Sequence, residues 1–422
     1  MNTVRSAGIR GLSLAPVAAL LLSVAALLLG NGLLGTLLIV RAGQEGFSSG
    51  AISAMMSCYF AGFTIGALVL PRIIVSVGHV RTFAGFAAIA SMTALLHVAV
   101  VEPIAWIPLR LVTGFAYAGM MLATESWLNA HAVQSTRGQL LSIFGVVSMG
   151  SWAVGQGLLN IAPPADVTLF LIVSLLISAA VVPITLLPSH PPTQVEQERV
   201  AMWDLVRVSP LAASGAFLAG LAIGGFWGMG ANFAQRIGLD VAGISAFMAA
   251  VLAGTLVLQW PLGWLSDRLS RNLIIAGAAV ASAAAAIGVA LSAEAPLPVL
   301  LVVGALFGGF GIPIYSLCLA VANDDLPAGR LLGTARGLLL LNGIGTAVGP
   351  LIGAAAMDIL GPGGLFLYAA ALLTLLAVLA IALGRPKRSI QAKGARSPST
   401  PMITGSLDTM ICMEERSRGA RH

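Results

Sequence analysis

The residues best suited to chemistry lie on one stripe of an apolar stretch. At 100° per residue, Arg110, Gly114, Tyr117, Met121 and Glu125 fall within about 80° of one another, so a helix presents them on a single face. A charge inside a bilayer span costs about 2.5–3.5 kcal/mol on insertion scales. Arg110 must therefore face a partner or water, or else snorkel to the nearer interface. Glu125 cannot be that partner, because fifteen residues at 1.5 Å each put it about 22 Å away. Other polar residues in apolar stretches are Asn31, Gln156, Asn232, Gln235, Gln259, Tyr315, Arg336 and Asn342. They read either as cavity lining or as inter-helix hydrogen bonds, worth about 0.6 kcal/mol each on average. His97 could titrate near neutrality or serve as an inert polar residue near an interface.

Several chemistries are excluded. Lysine occurs only at Lys387 and Lys393, so the apolar body has no lysine to reach a nucleotide's β/γ-phosphates. Cys58, Cys318 and Cys412 have neither metal-type spacing nor a disulfide framework. There is no His-Glu-x-x-His, no paired acidic metal cluster within a span, and no Gly-x-Ser-x-Gly elbow with plausible partners. The expectation is a protein that is not an enzyme and uses no cofactor and no metal.

The elements that must position the stripe follow from composition. The 422 residues are 58% hydrophobic and 9% charged, against about 25% charged in an average soluble protein. With a mean hydropathy of +0.96, this is an integral membrane protein. Windows long enough to cross about 30 Å of hydrocarbon recur at 15–38, 49–71, 82–101, 104–128, 138–161 and 166–188. Six more follow at 210–235, 242–265, 273–293, 297–321, 331–356 and 363–384. The first run has no small-residue cleavage motif at the usual distance, so it reads as an uncleaved span.

Twelve spans put both termini on one side. With that side cytoplasmic, Arg5, Arg10, Arg72, Arg81, Arg137, Arg199, Arg207, Arg268, Arg271, Arg330 and Arg336 lie inside, and only Arg41, Arg110 and Arg236 lie in the outer half or beyond. That asymmetry follows the positive-inside rule. The net charge of +6 is concentrated from Arg385 onward, where eight Lys/Arg face three acids. Beside a span, such a tail reads as a solvated disordered extension or a neighbour of anionic lipid rather than a nucleic-acid binder.

The chain divides into a cytoplasmic N-terminus (1–14), a six-helix bundle (15–188), a cytoplasmic linker (189–209), a second six-helix bundle (210–384) and the basic tail (385–422). Val195, Met202, Trp203 and Val206 in the linker could form an apolar face lying on the membrane surface. The halves echo each other in order. Gly66-Ala-Leu-Val-Leu70 returns as Gly254-Thr-Leu-Val-Leu258, Glu102 as Glu294, and Gly138-Gln-Leu-Leu as Gly329-Arg-Leu-Leu, at offsets of 188 to 192 residues. Internal repeats with a site near mid-membrane mark secondary transporters.

Gly263-Trp-Leu-Ser-Asp267-Arg268-Leu-Ser-Arg271 resembles motif A of the major facilitator superfamily, with Ser270 replacing the usual second glycine. The corresponding turn after span 2, Pro71-Arg72 to Arg81, has no Asp. Arg110-Leu-Val-Thr-Gly114 resembles motif B, and Gly349-Pro350 loosely resembles motif C. Glu125-Ser-Trp-Leu-Asn129, then Arg137-Gly138 and Gly155-Gln156, resembles the YcaD-like branch of bacterial transporters, with Phe144 where tyrosine is common. The resemblance implies the major facilitator fold: all-α, integral to the membrane, with twelve helices in two pseudo-symmetric six-helix bundles. It also implies a multi-pass protein of the bacterial inner membrane.

By the same resemblance, Arg110 belongs to a substrate or proton-coupling site, with Tyr117, Asn31, Gln156, Asn232, Gln235 and Asn342 along the pathway. Glu125 with Arg137 and Arg81 would form a cytoplasmic gate cluster; the alternatives for Glu125 are a proton carrier and a passive interfacial anion. Gly263, Asp267, Arg268, Arg271 and Arg336 complete the gate, with Arg336 pairing to Asp324 or Asp325. Glycines of spans 5 and 11 also fit close helix packing alone. The expected function is proton-coupled alternating-access transport of a small, largely apolar or zwitterionic solute by a monomer in the lipid bilayer, export favoured. The alternatives are a transport-incompetent sensor on the same fold and an uptake permease.

Overall fold

The computed structural model describes residues 14–131, 137–185, 202–325 and 331–384. The helices are α1 (Leu14–Gln44), α2 (Ser49–Val77), α3 (His79–Ala99), α4 (Pro103–His131), α5 (Arg137–Gly157) and α6 (Val167–Thr185). The short α7 (Met202–Val208) follows, then α8 (Pro210–Arg236), α9 (Val241–Arg268), α10 (Arg271–Leu291), α11 (Leu297–Gly311), α12 (Ile314–Asp325), α13 (Leu331–Leu360) and α14 (Gly364–Ala382). Among the described residues twelve spans are long and apolar enough to cross a membrane, α11 and α12 together making the tenth. Only helices close all backbone hydrogen bonds within one segment, which hydrocarbon demands.

Two differences from the sequence reading have local causes. The tenth span is broken at Ile312–Pro313, because proline lacks the N–H that would continue the ladder. The linker helix α7 turns Leu205 inward, where it is buried against Gly337 of α13. It therefore docks on the bundle by a residue outside the expected apolar face; Val195 and the side chains of Met202 and Trp203 lie outside the described residues.

Packing repeats between the halves. In the first, α1 packs on α5 and α6, α2 on α4, and α3 on α4 and α6; in the second, α8 packs on α13 and α14, α9 on α11, and α10 on α11 and α14. Each pair in one half has its counterpart in the other, as the sequence echoes imply. The halves meet where α2 packs on α13, α5 on α9, and α1 on α8.

Glycine sets the closest approaches. A Cβ on Gly62 of α2 would overlap the Leu111 carbonyl of α4, and one on Gly114 would overlap the Tyr59 carbonyl. In the second half Gly254 meets Ala305 in the same way, and Gly345 and Gly349 of α13 press on Phe217 and Leu221 of α8. Without a hydrophobic drive between helices in lipid, such small-residue contacts supply the attraction.

Gly62→Val should overpack α2 against α4 and cost about 1–3 kcal/mol, lowering the thermal unfolding midpoint in detergent. Gly85→Ala, where nothing lies within 4 Å of an added Cβ, should leave the midpoint unchanged or raise it.

Candidate functional site

The tight α2–α4 contact places Tyr59 over Arg110. The Arg110 guanidinium carbon lies 4.1 Å from the centre of the Tyr59 ring, and Nη2 reaches the Met56 sulfur at 3.7 Å. Tyr59 donates its hydroxyl to Asn31 Oδ1 of α1 at 3.1 Å, and its ring meets that of Tyr117 edge-on at 6.4 Å. Arg110 and Tyr117 are each 1% exposed. Arg110 is thus inside the bundle, not snorkelled to an interface.

The charge on Arg110 is incompletely offset. A desolvated cation–π contact contributes about 2 kcal/mol, against roughly 2.5–3.5 kcal/mol to hold the charge in the span, and a thioether is a weak acceptor. Arg110 Nε and Nη1 and the Tyr117 hydroxyl have no hydrogen-bond partner among the described residues. The two other arginines towards the same end differ. Arg41 pairs with Glu45 at 2.6 Å and Arg236 with Asp358 at 3.0 Å.

The site adjoins the seam between the halves. A Cβ on Gly228 of α8 would lie 3.3 Å from Met56 Cβ. Asn232, one turn further along α8, is buried with Oδ1 unpartnered. At the same seam Trp152 of α5 and Trp227 of α8 stack at 4.6 Å and 15°. This stacked pair was not singled out in the sequence, where isolated tryptophans carry no periodic signal.

Other predicted pathway residues hold helices together. Thr36 donates to Gln156 Oε1 at 2.6 Å and Gln156 Nε2 donates to the Gly32 carbonyl at 3.0 Å, tying α5 to α1. Asn342 Nδ2 donates to the Ala216 carbonyl at 2.9 Å, tying α13 to α8. Gln235 Nε2 reaches the Val40 carbonyl at 3.3 Å, so it bridges the halves. His97 holds the Thr93 carbonyl through Nδ1 at 2.6 Å and packs against Trp106, whose indole donates to the His97 carbonyl at 3.0 Å. It is fully buried in the last turn of α3.

The gate residues separate into two groups at the end of the bundle that carries the termini. Glu125 is buried near the end of α4. Arg81 is exposed, and the side chain of Arg137 lies outside the described residues. A hydrogen bond between His79 Nε2 and Ser126 Oγ at 2.8 Å joins the start of α3 to α4. In the second half, Arg271 contacts Asp324 at 2.7 Å and Asp267 at 3.6 Å. Arg268 lies over Trp264 at 3.8 Å, and Gly263 has open space around it. Asp267 thus pairs with the first residue of α10.

Arg336 also departs from expectation. Its Nη2 donates to the Leu68 carbonyl of α2 at 3.0 Å. Asp324 is taken by Arg271, and Asp325 accepts from Ser209 at 2.7 Å. Arg336 therefore stitches α13 to α2 across the halves.

At the opposite end a latch closes the seam. Asp358 of α13 accepts from Arg236 of α8 at 3.0 Å and from Ser49 of α2 at 2.9 Å, and Arg236 also contacts Ser49. Asn160 and Ser245 join α5's end to α9 at 2.8 Å. α4 packs on α1, α2 and α3, and α12 on α8, α10 and α13, but among the described residues the two make no substantial contact with each other. The latch residues come from the ends of three separate helices, and no local spacing in the sequence links them.

The model of the Major Facilitator Superfamily matches residues 212–410. An MFS-type transporter of Yersinia pestis (strain Pestoides F) is 23% identical over 337 residues, 79% of this chain and 87% of that protein. The MFS-type transporter YcaD of Escherichia coli O17:K52:H18 is 25% identical over 365 residues, 84% and 92% of the two chains. In fold, the nucleoside transporter NupG aligns with a TM-score of 0.73 at 16% identity, covering 88% of this chain and all (100%) of that one. A D-xylose–proton symporter aligns at 0.69 and 12% identity, covering 86% and 96%.

Exposed ion pairs contribute about 0–1 kcal/mol, so removing the latch should shift a balance between closed and open far ends without unfolding the protein. In Asp358→Ala, a cysteine placed at Val40, which is buried at the seam, should react with a water-soluble maleimide up to about fivefold faster, the factor carried by 1 kcal/mol.

Proposed function

We infer that this chain, which belongs to the major facilitator superfamily and is a multi-pass membrane transporter by family and fold, moves a small, largely apolar or zwitterionic solute by proton-coupled alternating access. The observation that carries this reading is Arg110, a buried cation beside the seam, offset only by aromatic and thioether contacts. A group whose charge is left incompletely balanced by the protein suits an exchange of solute or proton during the cycle. The far-end latch together with the separated α4 and α12 fits a state that opens towards the terminal end. The arginine asymmetry supports reading that end as the cytoplasmic one, in the inner membrane of a bacterium.

Proton coupling draws further support from a D-xylose–proton symporter among the proteins of similar fold. Export is the proposed direction on the resemblance of spans 4 and 11 to motifs B and C. The chain acts as a monomer, with Glu125 and the arginines near the terminal end contributing to its inner gate.

The test is reconstitution into liposomes with an imposed pH gradient. Exchange of solute for protons accumulates solute in vesicles with an acidic interior, whereas symport requires an acidic exterior. Arg110→Ala should lower solute-coupled proton flux by about tenfold or more, the loss expected when an interaction near 1.4 kcal/mol disappears. The variant should remain monodisperse and helical. Wild-type flux in it would overturn the role of Arg110.

A further inference from the structure

We propose that Arg110 is the receptor for a single carboxylate, so that the solute is a monoanionic organic acid with an apolar body. This rests on the transport reading and narrows its substrate class. Of the three arginines away from the terminal end, Arg41 and Arg236 each have a carboxylate within 3.0 Å, and Arg110, the most buried of them, has none among the described residues. Two of its three guanidinium nitrogens keep N–H groups without an acceptor. Buried cations are stable only when paired and hydrogen-bonded, and a carboxylate is the acceptor that guanidinium geometry fits.

The surroundings select against other charges. Tyr59 covers one face of the guanidinium, and the Tyr117 hydroxyl is a second buried polar group without a partner. Together they offer donors and aromatic walls to one negative head. A single guanidinium cannot match the nearly two charges of a phosphate monoester. No acidic side chain is within ion-pair distance of Arg110, Tyr59 or Tyr117 among the described residues, so the ammonium of an amine has no counterion there. An acid lacking an ammonium group is therefore preferred over a zwitterion.

The test uses the full chain purified into phosphatidylcholine nanodiscs, which supply no anionic headgroup. Thermal stability is read with aliphatic and aromatic monocarboxylates of two to ten carbons, each against its neutral amide, and with sodium chloride alone. The expected result is stabilisation by at least one acid, with its amide at least about tenfold weaker because it leaves the guanidinium charge unmatched. Arg110→Gln should abolish the preference for the acid. Without any acid, Arg110→Met should be as stable as the wild type or more so, because an unpaired buried charge has been removed.

Equal shifts from acid and amide, an equal shift from chloride, no shift from any acid, or an unstable Arg110→Met protein would each overturn the assignment. Binding is read without a gradient. Acid binding with no coupled flux would therefore refute the transport mechanism while leaving the site, and coupled flux of a solute without a carboxylate would do the reverse.

Discussion

A guanidinium held inside a bilayer-spanning bundle is the constraint from which the rest of this structure is best understood. Hydrocarbon offers Arg110 no solvation, so each neighbour must supply some. Tyr59 gives a ring face and Met56 a soft sulfur. Both can approach only because Gly62 and Gly114 let α2 and α4 touch at the backbone. The small residues that pack these helices therefore also build the electrostatic environment of the cation. Packing and chemistry share one set of atoms here, and the protein's own contacts stop short of a full counterion.

The same economy governs the seam between the halves. Carbonyls of one half accept from side chains of the other, as when Arg336 reaches Leu68 and Gln235 reaches Val40. Individually these bonds are modest, because polar groups in a membrane find partners in many arrangements. Modest bonds suit a seam that has to break and re-form. The latch of Arg236, Asp358 and Ser49 is partly exposed to solvent and correspondingly weak. The hydrogen bonds within each half, such as Gln156 to Thr36 and Gly32, are buried and keep the bundles rigid as units.

Much of this was legible in the sequence because membranes restrict the options. Hydrophobic run length specified the spans, and the stripe from Arg110 to Tyr117 appeared from helical period alone. The break at Ile312–Pro313 went unseen because a proline in an apolar window lowers neither length nor hydropathy enough to split it. Polar residues in spans looked alike one at a time. Gln156 and Asn342 proved to hold neighbouring helices, whereas Asn232 keeps an unpartnered oxygen. Which role a residue takes depends on the carbonyl it faces, and that is fixed by contacts more than a hundred residues away. For the same reason Arg336 found Leu68 rather than the acids nearer in the chain.

Alternating access itself is best read as a distance. Spin labels at Gln44, the last residue of α1, and Leu239, just past the far end of α8, report whether the latched seam opens. A short separation should dominate in the resting wild type, with a longer one gaining population when the solute saturates the site, and Arg110→Gln should abolish that response. One invariant distance in the wild type under both conditions would contradict transport by movement of the two halves around Arg110.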